Sequence, residues 1–249
     1  MVAKVSVLNL SELFLMQQAL QILCLGLSQV QTIEFFPEQL VIAGWTGRNR
    51  QAIDHHIEEL AALGVPRPST VPLYYRVSVS NLTQSGTIQV VGNNTSGEVE
   101  PVLMMIKDEL WLTVGSDHTD RSAETYSVAL SKQLCAKVIA DQAWRYSEVA
   151  DHIDQITLKS WIIETTTEGY RAQDRIPYQD GVLGAIRPLA DLVSGYGSTP
   201  RHGFVMSCGT VGAIGGIRSA KQFVMQLSDP VLNRAIDYRY DIECLPVIS

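Results

Sequence analysis

Residues 96–114 read Ser-Gly-Glu-Val-Glu-Pro-Val-Leu-Met-Met-Ile-Lys-Asp-Glu-Leu-Trp-Leu-Thr-Val. Two apolar runs, Val99 to Ile106 and Leu110 to Val114, flank the polar triplet Lys107-Asp108-Glu109. Runs of this kind joined by a short polar turn predict a β-hairpin. Side chains two apart on a strand share a face, so Glu98 and Glu100 present two carboxylates side by side while Val99 turns away. Two like charges at the mouth of an apolar strand are costly unless a cation stands between them, and a hard ion such as Mg²⁺ takes carboxylate oxygens. The competing reading is a solvated strand end carrying two unrelated glutamates.

The loop that follows the hairpin, Gly115-Ser116-Asp117-His118-Thr119-Asp120-Arg121, lies at a strand end, where chemistry often concentrates. Asp117 is a candidate third carboxylate, and Arg121 has the fork geometry to hold a substrate carboxylate. Read without its context, the same loop is a polar turn capped by Asp120 or Ser122.

Working outward, the chain keeps a β-rich character. Val71, Leu73, Val77, Val79, Ile88, Val90 and Val91 form short runs broken by Gly86, Gly92 and Gly97. Further strands are expected at 31–36, 40–43, 156–163, 203–208, 222–227 and 236–246. Helices are expected at 11–30 with Ser11 as cap, at 122–132, at 180–195 and at 49–63. In the last of these Ile53, Ile57, Leu60 and Leu63 recur at helical spacing before Gly64, Pro66 and Pro68 end it. Many short strands with a few helices point to an α+β fold, a mixed β-roll or distorted barrel with flanking helices.

Composition narrows the function. The 249 residues are 46% hydrophobic and 18% charged, enough apolar material for a packed core. A net charge of −7 argues against a nucleic-acid binder, which needs a Lys/Arg surplus. No apolar run reaches the roughly 18–20 residues of a membrane span; Leu13 to Leu27 comes closest and is interrupted by Gln17, Gln18 and Gln21. Cys24, Cys135, Cys208 and Cys244 form no Cys-x-x-Cys pair and read as reduced core residues of a cytoplasmic protein.

Two more segments draw notice. Asp54-His55-His56-Ile57-Glu58-Glu59 places His56 one helical turn from Glu59, and His55 one turn from Glu58, pairs suited to acid–base work or to an ordinary polar helix face. Gly209-Thr210-Val211-Gly212 follows an apolar strand and could turn backbone N–H groups toward an anion. It lacks the Lys-Ser/Thr ending of a nucleotide-binding loop.

In their order, these features resemble the fumarylacetoacetate hydrolase superfamily along roughly residues 40–249. The resemblance rests on Gly47-Arg48-Asn49, the His56/Glu59 helix, Pro72-Leu73-Tyr74-Tyr75-Arg76, Glu98 and Glu100, the loop from Ser116 to Arg121, Ser131-Lys132 and Gly209-Thr210. It implies a catalytic domain at 40–249 preceded by an N-terminal extension at 1–39, and a Mg²⁺ or Mn²⁺ cofactor. It also implies a small 2-oxo acid substrate and a homodimer. Glu98, Glu100 and Asp117 would hold the metal. His56 and Glu59, with His55 as the alternative histidine, and Lys132 would be catalytic. Arg121, Thr210, Gly209, Tyr75, Glu124 and His118 would contact substrate. Family members cleave carbon–carbon bonds in acylpyruvates, decarboxylate, or hydrate and dehydrate related acids, and the expected reaction is acylpyruvate hydrolysis. The sequence departs from the family pattern at Ser116, His118, Asp120, Glu124 and Val211.

Overall fold

The computed structural model describes residues 19–62, 67–164 and 174–248, without the side chains of residues 56, 59 and 60. Among these residues the predicted hairpin is the centre of the molecule. Val99–Ile106 pairs antiparallel with Glu109–Asp117 in unbroken register from Val99↔Ser116 to Ile106↔Glu109.

A ten-stranded mixed sheet grows from both sides of that hairpin. Beyond Glu109–Asp117 lie Gln142–Arg145, Leu20–Leu25 and Val30–Phe35; beyond Val99–Ile106 lie Phe204–Ser207, Gln39–Gly44 and Leu73–Val77. Lys137–Ile139 pairs with the far end of Glu109–Asp117 and continues the sheet to Leu82–Thr83. A five-stranded sheet runs Ile176–Val182, Thr157–Glu164, Ala220–Asp229, Arg234–Leu245 and Thr87–Val91. Both sheets stay open, so the fold is a roll of mixed sheets and not a closed barrel.

Alternation along the strands divides the apolar residues between two cores. Val99, Leu103, Leu112 and Val114 join Phe223, Met225, Ile236 and Tyr240 in a core between the sheets. Val102, Met104, Ile106 and Trp111 join Leu20, Ile22, Phe35 and Val205 on the opposite face. The ten-stranded sheet is therefore covered on both sides, which is why its strands read as continuous apolar runs.

The helix predicted at 49–63 is found at Arg50–Ala62, with Ile57 buried; Gly64 and Pro66 lie outside the described residues. Three helix expectations need correction. In the segment 11–30, residues up to 18 lie outside the described residues, and Leu20–Leu25 is a strand with Leu20, Ile22 and Cys24 inward. Good helix formers are overridden there by pairing with Val30–Phe35 and Gln142–Arg145. The helix at 122–132 is two helices, Arg121–Glu124 and Val128–Leu134, because the Asp120 and Ser127 side chains each cap a new start. Residues 180–195 begin as the end of strand Ile176–Val182, and only Leu189–Gly195, entered from Pro188, is α-helical. Of the cysteines, Cys24, Cys135 and Cys208 are buried but Cys244 is exposed. No helix among the described residues is long and apolar enough to cross a membrane.

Candidate metal centre

Register brings the site together. The backbone N–H of Asp117 donates to the carbonyl of Glu98 at 3.0 Å, and Lys137 stands opposite Asp117 on the next strand. Residues directly opposite on antiparallel strands share a face. Glu98, Asp117 and Lys137 therefore form a row across the sheet, with Glu100 one step along the same face. That face is the one lined by Val102 and Met104, so the site is the polar end of the second core.

Ligand oxygens of Glu98, Glu100 and Asp117 all lie within 4.8 Å of one another. Asp117 and Glu100 are buried, Glu98 partly. Lys132 pairs with Asp117 Oδ2, and Lys137 Nζ lies 3.0 Å from Oδ1 without the alignment of a hydrogen bond. Burial alone would keep the Asp117 carboxyl protonated, but the two ammonium groups outweigh it and hold the group well below the usual carboxylate range. Burial would likewise strip the proton from Lys132; Asp117, Glu98 and Glu100 together push it up instead.

Glu100 receives too little such help, from Lys132 and the Ser207 hydroxyl, to offset its burial. Burial first, and then the nearby Asp117 charge, push its carboxyl up to about 8. Its Oε2 accepts from the Ser207 hydroxyl and, at 3.0 Å, from the Gly209 N–H. Gly209 has φ +95, and a Cβ there would sit 1.7 Å from Thr46 Oγ1, so only glycine lets this N–H approach the carboxylate.

These residues fit a divalent cation. The donors are all hard oxygens, as Mg²⁺ and Mn²⁺ prefer. Oxygens about 2.1 Å from one ion stand at most about 4.2 Å apart, close to the spread seen here. Asp117 Oδ1 is buried without a hydrogen bond, and Glu100 is a buried acid short of positive charge. A cation would relieve both.

The other expected site residues fall into three groups. Tyr75 is near: the Lys132 Nζ lies 5.9 Å from its ring centroid. Arg121 is near, with Nε donating to Ser96 Oγ at 2.7 Å, Nη1 to Glu124 Oε2 at 2.8 Å, and Nη2 ion-paired 3.1 Å from Glu98 Oε1 without the alignment of a hydrogen bond. Gly209 and Thr210 are spent on structure, the Thr210 hydroxyl donating to the Val99 carbonyl at 2.6 Å. His118 is on the wrong face. As the residue after Asp117 it points between the sheets, fully buried, with its ring nitrogens 2.9 Å from Tyr240 Oη and Thr95 Oγ1. Burial, then Lys137 and Arg121, push its imidazole down to about 3, so it stays neutral. His55 is exposed on helix Arg50–Ala62, and the side chains of His56 and Glu59 on the same helix lie outside the described residues.

Sequence reasoning missed three supporting residues. Lys137 carried a signal, a lone charge in the apolar run Ala136-Lys137-Val138-Ile139-Ala140. Ser207 and Gln179 carried none. Gln179 is a buried amide that accepts from the Val99 N–H and the Ser160 hydroxyl, both at 2.9 Å, and donates to Thr210 Oγ1 at 2.7 Å and the Val211 carbonyl at 2.6 Å.

Residues 43–240 match the model of a family described as Protein of unknown function (DUF2848). None of the curated proteins matches the chain in sequence. Solved structures share its fold. A yeast fumarylacetoacetate hydrolase family protein superposes with a TM-score of 0.59 at 13% identity, over 85% of this chain and 95% of that one. A fumarylacetoacetate hydrolase family protein from Yersinia pestis gives 0.57 at 14% identity, over 86% and 96%. A 2-keto-3-deoxy-D-arabinonate dehydratase complexed with magnesium and 2,5-dioxopentanoate gives 0.58 at 10% identity, over 99% and 85%. The chain thus shares the fold of these fumarylacetoacetate hydrolase family proteins, the fold that the order of motifs implied.

Proposed function

The chain belongs to the DUF2848 family, and from that premise we propose that it is a divalent-metal enzyme, Mg²⁺ or Mn²⁺ dependent, acting on small 2-oxo acids. The observation that carries this reading is the convergence of Glu98, Glu100 and Asp117 within 4.8 Å, with the Lys132 ammonium against them. The lysines offset Asp117 but leave the buried Glu100 beside two other carboxylates, an arrangement that a divalent cation would stabilise.

The cluster's charge supports an anionic substrate. Glu98, Glu100, Asp117 and Glu124, when ionised, exceed Lys132, Lys137 and Arg121 by one negative charge. A divalent ion turns that into one positive charge, which a monocarboxylate neutralises. Glu98, Glu100 and Asp117 would hold the ion, which supplies Lewis-acid polarisation of a 2-oxo group. Lys132, buried and kept charged, stabilises negative charge that develops beside it. Tyr75 walls the approach, and His56 with Glu59 moves the proton of an attacking water.

Within this reading the reaction is hydrolysis of a carbon–carbon bond in acylpyruvates. It predicts magnesium-dependent loss of diketo-acid absorbance; silence across a varied acylpyruvate panel would remove the hydrolase assignment. A lyase or dehydratase reaction is the second reading. Glu124 favours it, since an acid beside the metal ligands can serve as a proton relay to a leaving hydroxyl. Product analysis with oxaloacetate, 2-oxo-pentenoates and hydroxylated 2-oxo acids separates the two. Tight ligand binding without turnover, unchanged in His56→Ala, would instead identify a binding protein. The proposal includes a homodimer, which scattering mass in solution checks.

A further inference from the structure

The cluster is unevenly exposed. Asp117 and Glu100 are buried and Lys132 is nearly so, whereas the side chains of Glu98 and Glu124 remain 21% and 29% exposed. A ligand coming from solvent toward the three carboxylates meets Glu98 and Glu124 first. These two acids are joined by one guanidinium: Arg121 Nη2 lies 3.1 Å from Glu98 and Nη1 lies 2.8 Å from Glu124. The third nitrogen, Nε, is held by Ser96. Burial would weaken the Arg121 charge, but Glu98 and Glu124 more than restore it.

Two of the three Arg121 nitrogens are thus hydrogen-bonded, and the third, Nη2, is ion-paired with Glu98 without the alignment of a hydrogen bond, so the guanidinium already serves two glutamates. The Lys132 and Lys137 ammonium groups are turned to Asp117, and Lys137 also donates to the His118 carbonyl. Glu124, partly exposed and tied through Arg121 to Glu98, stands at the solvent edge of the cluster, where a substrate longer than its 2-oxo carboxylate end would meet its carboxylate. A carboxylate accepts hydrogen bonds and repels other carboxylates.

We infer that Glu124 is the specificity-determining residue of this site, selecting 2-oxo acids whose far end is uncharged and bears a hydroxyl and rejecting those with a second carboxylate. This rests on the 2-oxo acid reading above. Specificity here comes from a repulsive element as much as an attractive one.

Calorimetry of the Mg²⁺-loaded protein tests it with ligands of one carbon skeleton: 5-hydroxy-2-oxopentanoate, 2-oxopentanoate and 2-oxoglutarate, with oxalate as the tail-less reference. The hydroxylated acid should bind at least about tenfold tighter than 2-oxoglutarate, the order expected of a facing like charge. Glu124→Gln, which keeps an acceptor for Arg121, should bring the two within about threefold when each is referred to oxalate binding by the same variant. Oxalate binding combined with equal or tighter binding of 2-oxoglutarate overturns the inference and spares the 2-oxo acid reading, because Arg121 would then have let go of Glu124. Absence of oxalate binding overturns both. The wild-type series decides the matter even where the variant folds poorly.

Discussion

Asp117 shows how much a single side chain can carry. It is the shared partner of the buried Lys132 and Lys137. Removing one member of a buried ionic group leaves uncompensated charge, a cost of about 3–5 kcal/mol. Asp117→Ala should lower the melting temperature by on the order of 10 °C without any metal present; a melting temperature within a degree of wild type would contradict the lysine pairing. Glu100 makes a second prediction at this scale. Its carboxyl is pushed up to about 8, above its value near 4.5 in an unfolded chain. Its contribution to stability is complete below about 4.5 and fades as pH rises to about 8, because only the unfolded chain releases that proton. In chelator, Glu100→Gln should therefore gain on wild type from pH 5 to pH 8, and metal affinity of the wild type should rise over the same window. Parallel melting profiles for the two proteins would refute this.

Among the elements, the strand–loop carrying Ser207 to Thr210 is the least forgiving. It rises from the parallel neighbour of Gln39–Gly44 and turns at Gly209 to aim an N–H at Glu100. Gly209→Ala imposes both a left-handed backbone on a residue with a Cβ and a clash with Thr46. It should cost at least about 1–3 kcal/mol and weaken metal binding. Adding Thr46→Ala should restore part of the loss, since it removes the 1.7 Å contact with Oγ1 but keeps the residue 46 Cβ at 2.9 Å and the backbone strain. Full recovery, or no loss at all, would be read directly from chemical denaturation and would count against the geometry. The short helix Val128–Leu134 is set by a comparable local device, the Ser127 side chain accepting from the Leu130 N–H at 3.3 Å, and it is what points Lys132 inward.

At the scale of the whole molecule, the site depends on two sheets meeting. Gln179 belongs to the five-stranded sheet, yet its amide is bonded to Val99, between the two glutamates, and to the Thr210 loop. Gln179→Leu would strand several buried polar groups at about 1–3 kcal/mol each. It should also raise the metal dissociation constant although Gln179 touches no ligand oxygen. Metal titration and thermal melting of the same preparation check both effects, and a loss of stability with unchanged metal binding would show that the bridge is only structural.

From the chain alone, the hairpin, the pairing of Glu98 with Glu100 and the candidacy of Asp117 were legible. Each depends on periodicity or on a strand end, which are local properties of a chain. So was the fold class, through the order of short apolar runs. The first described strand, Leu20–Leu25, was not, because a leucine-rich run becomes a strand or a helix according to its neighbours and not its propensity. Nor could the chain reveal that His118 faces the inter-sheet core, that Arg121 is already spent on two glutamates, or that Lys137 closes the row beside Asp117. Those facts arise from register between strands distant in sequence and from the desolvation that packing imposes. Charge meets charge across a sheet only after the whole sheet has formed.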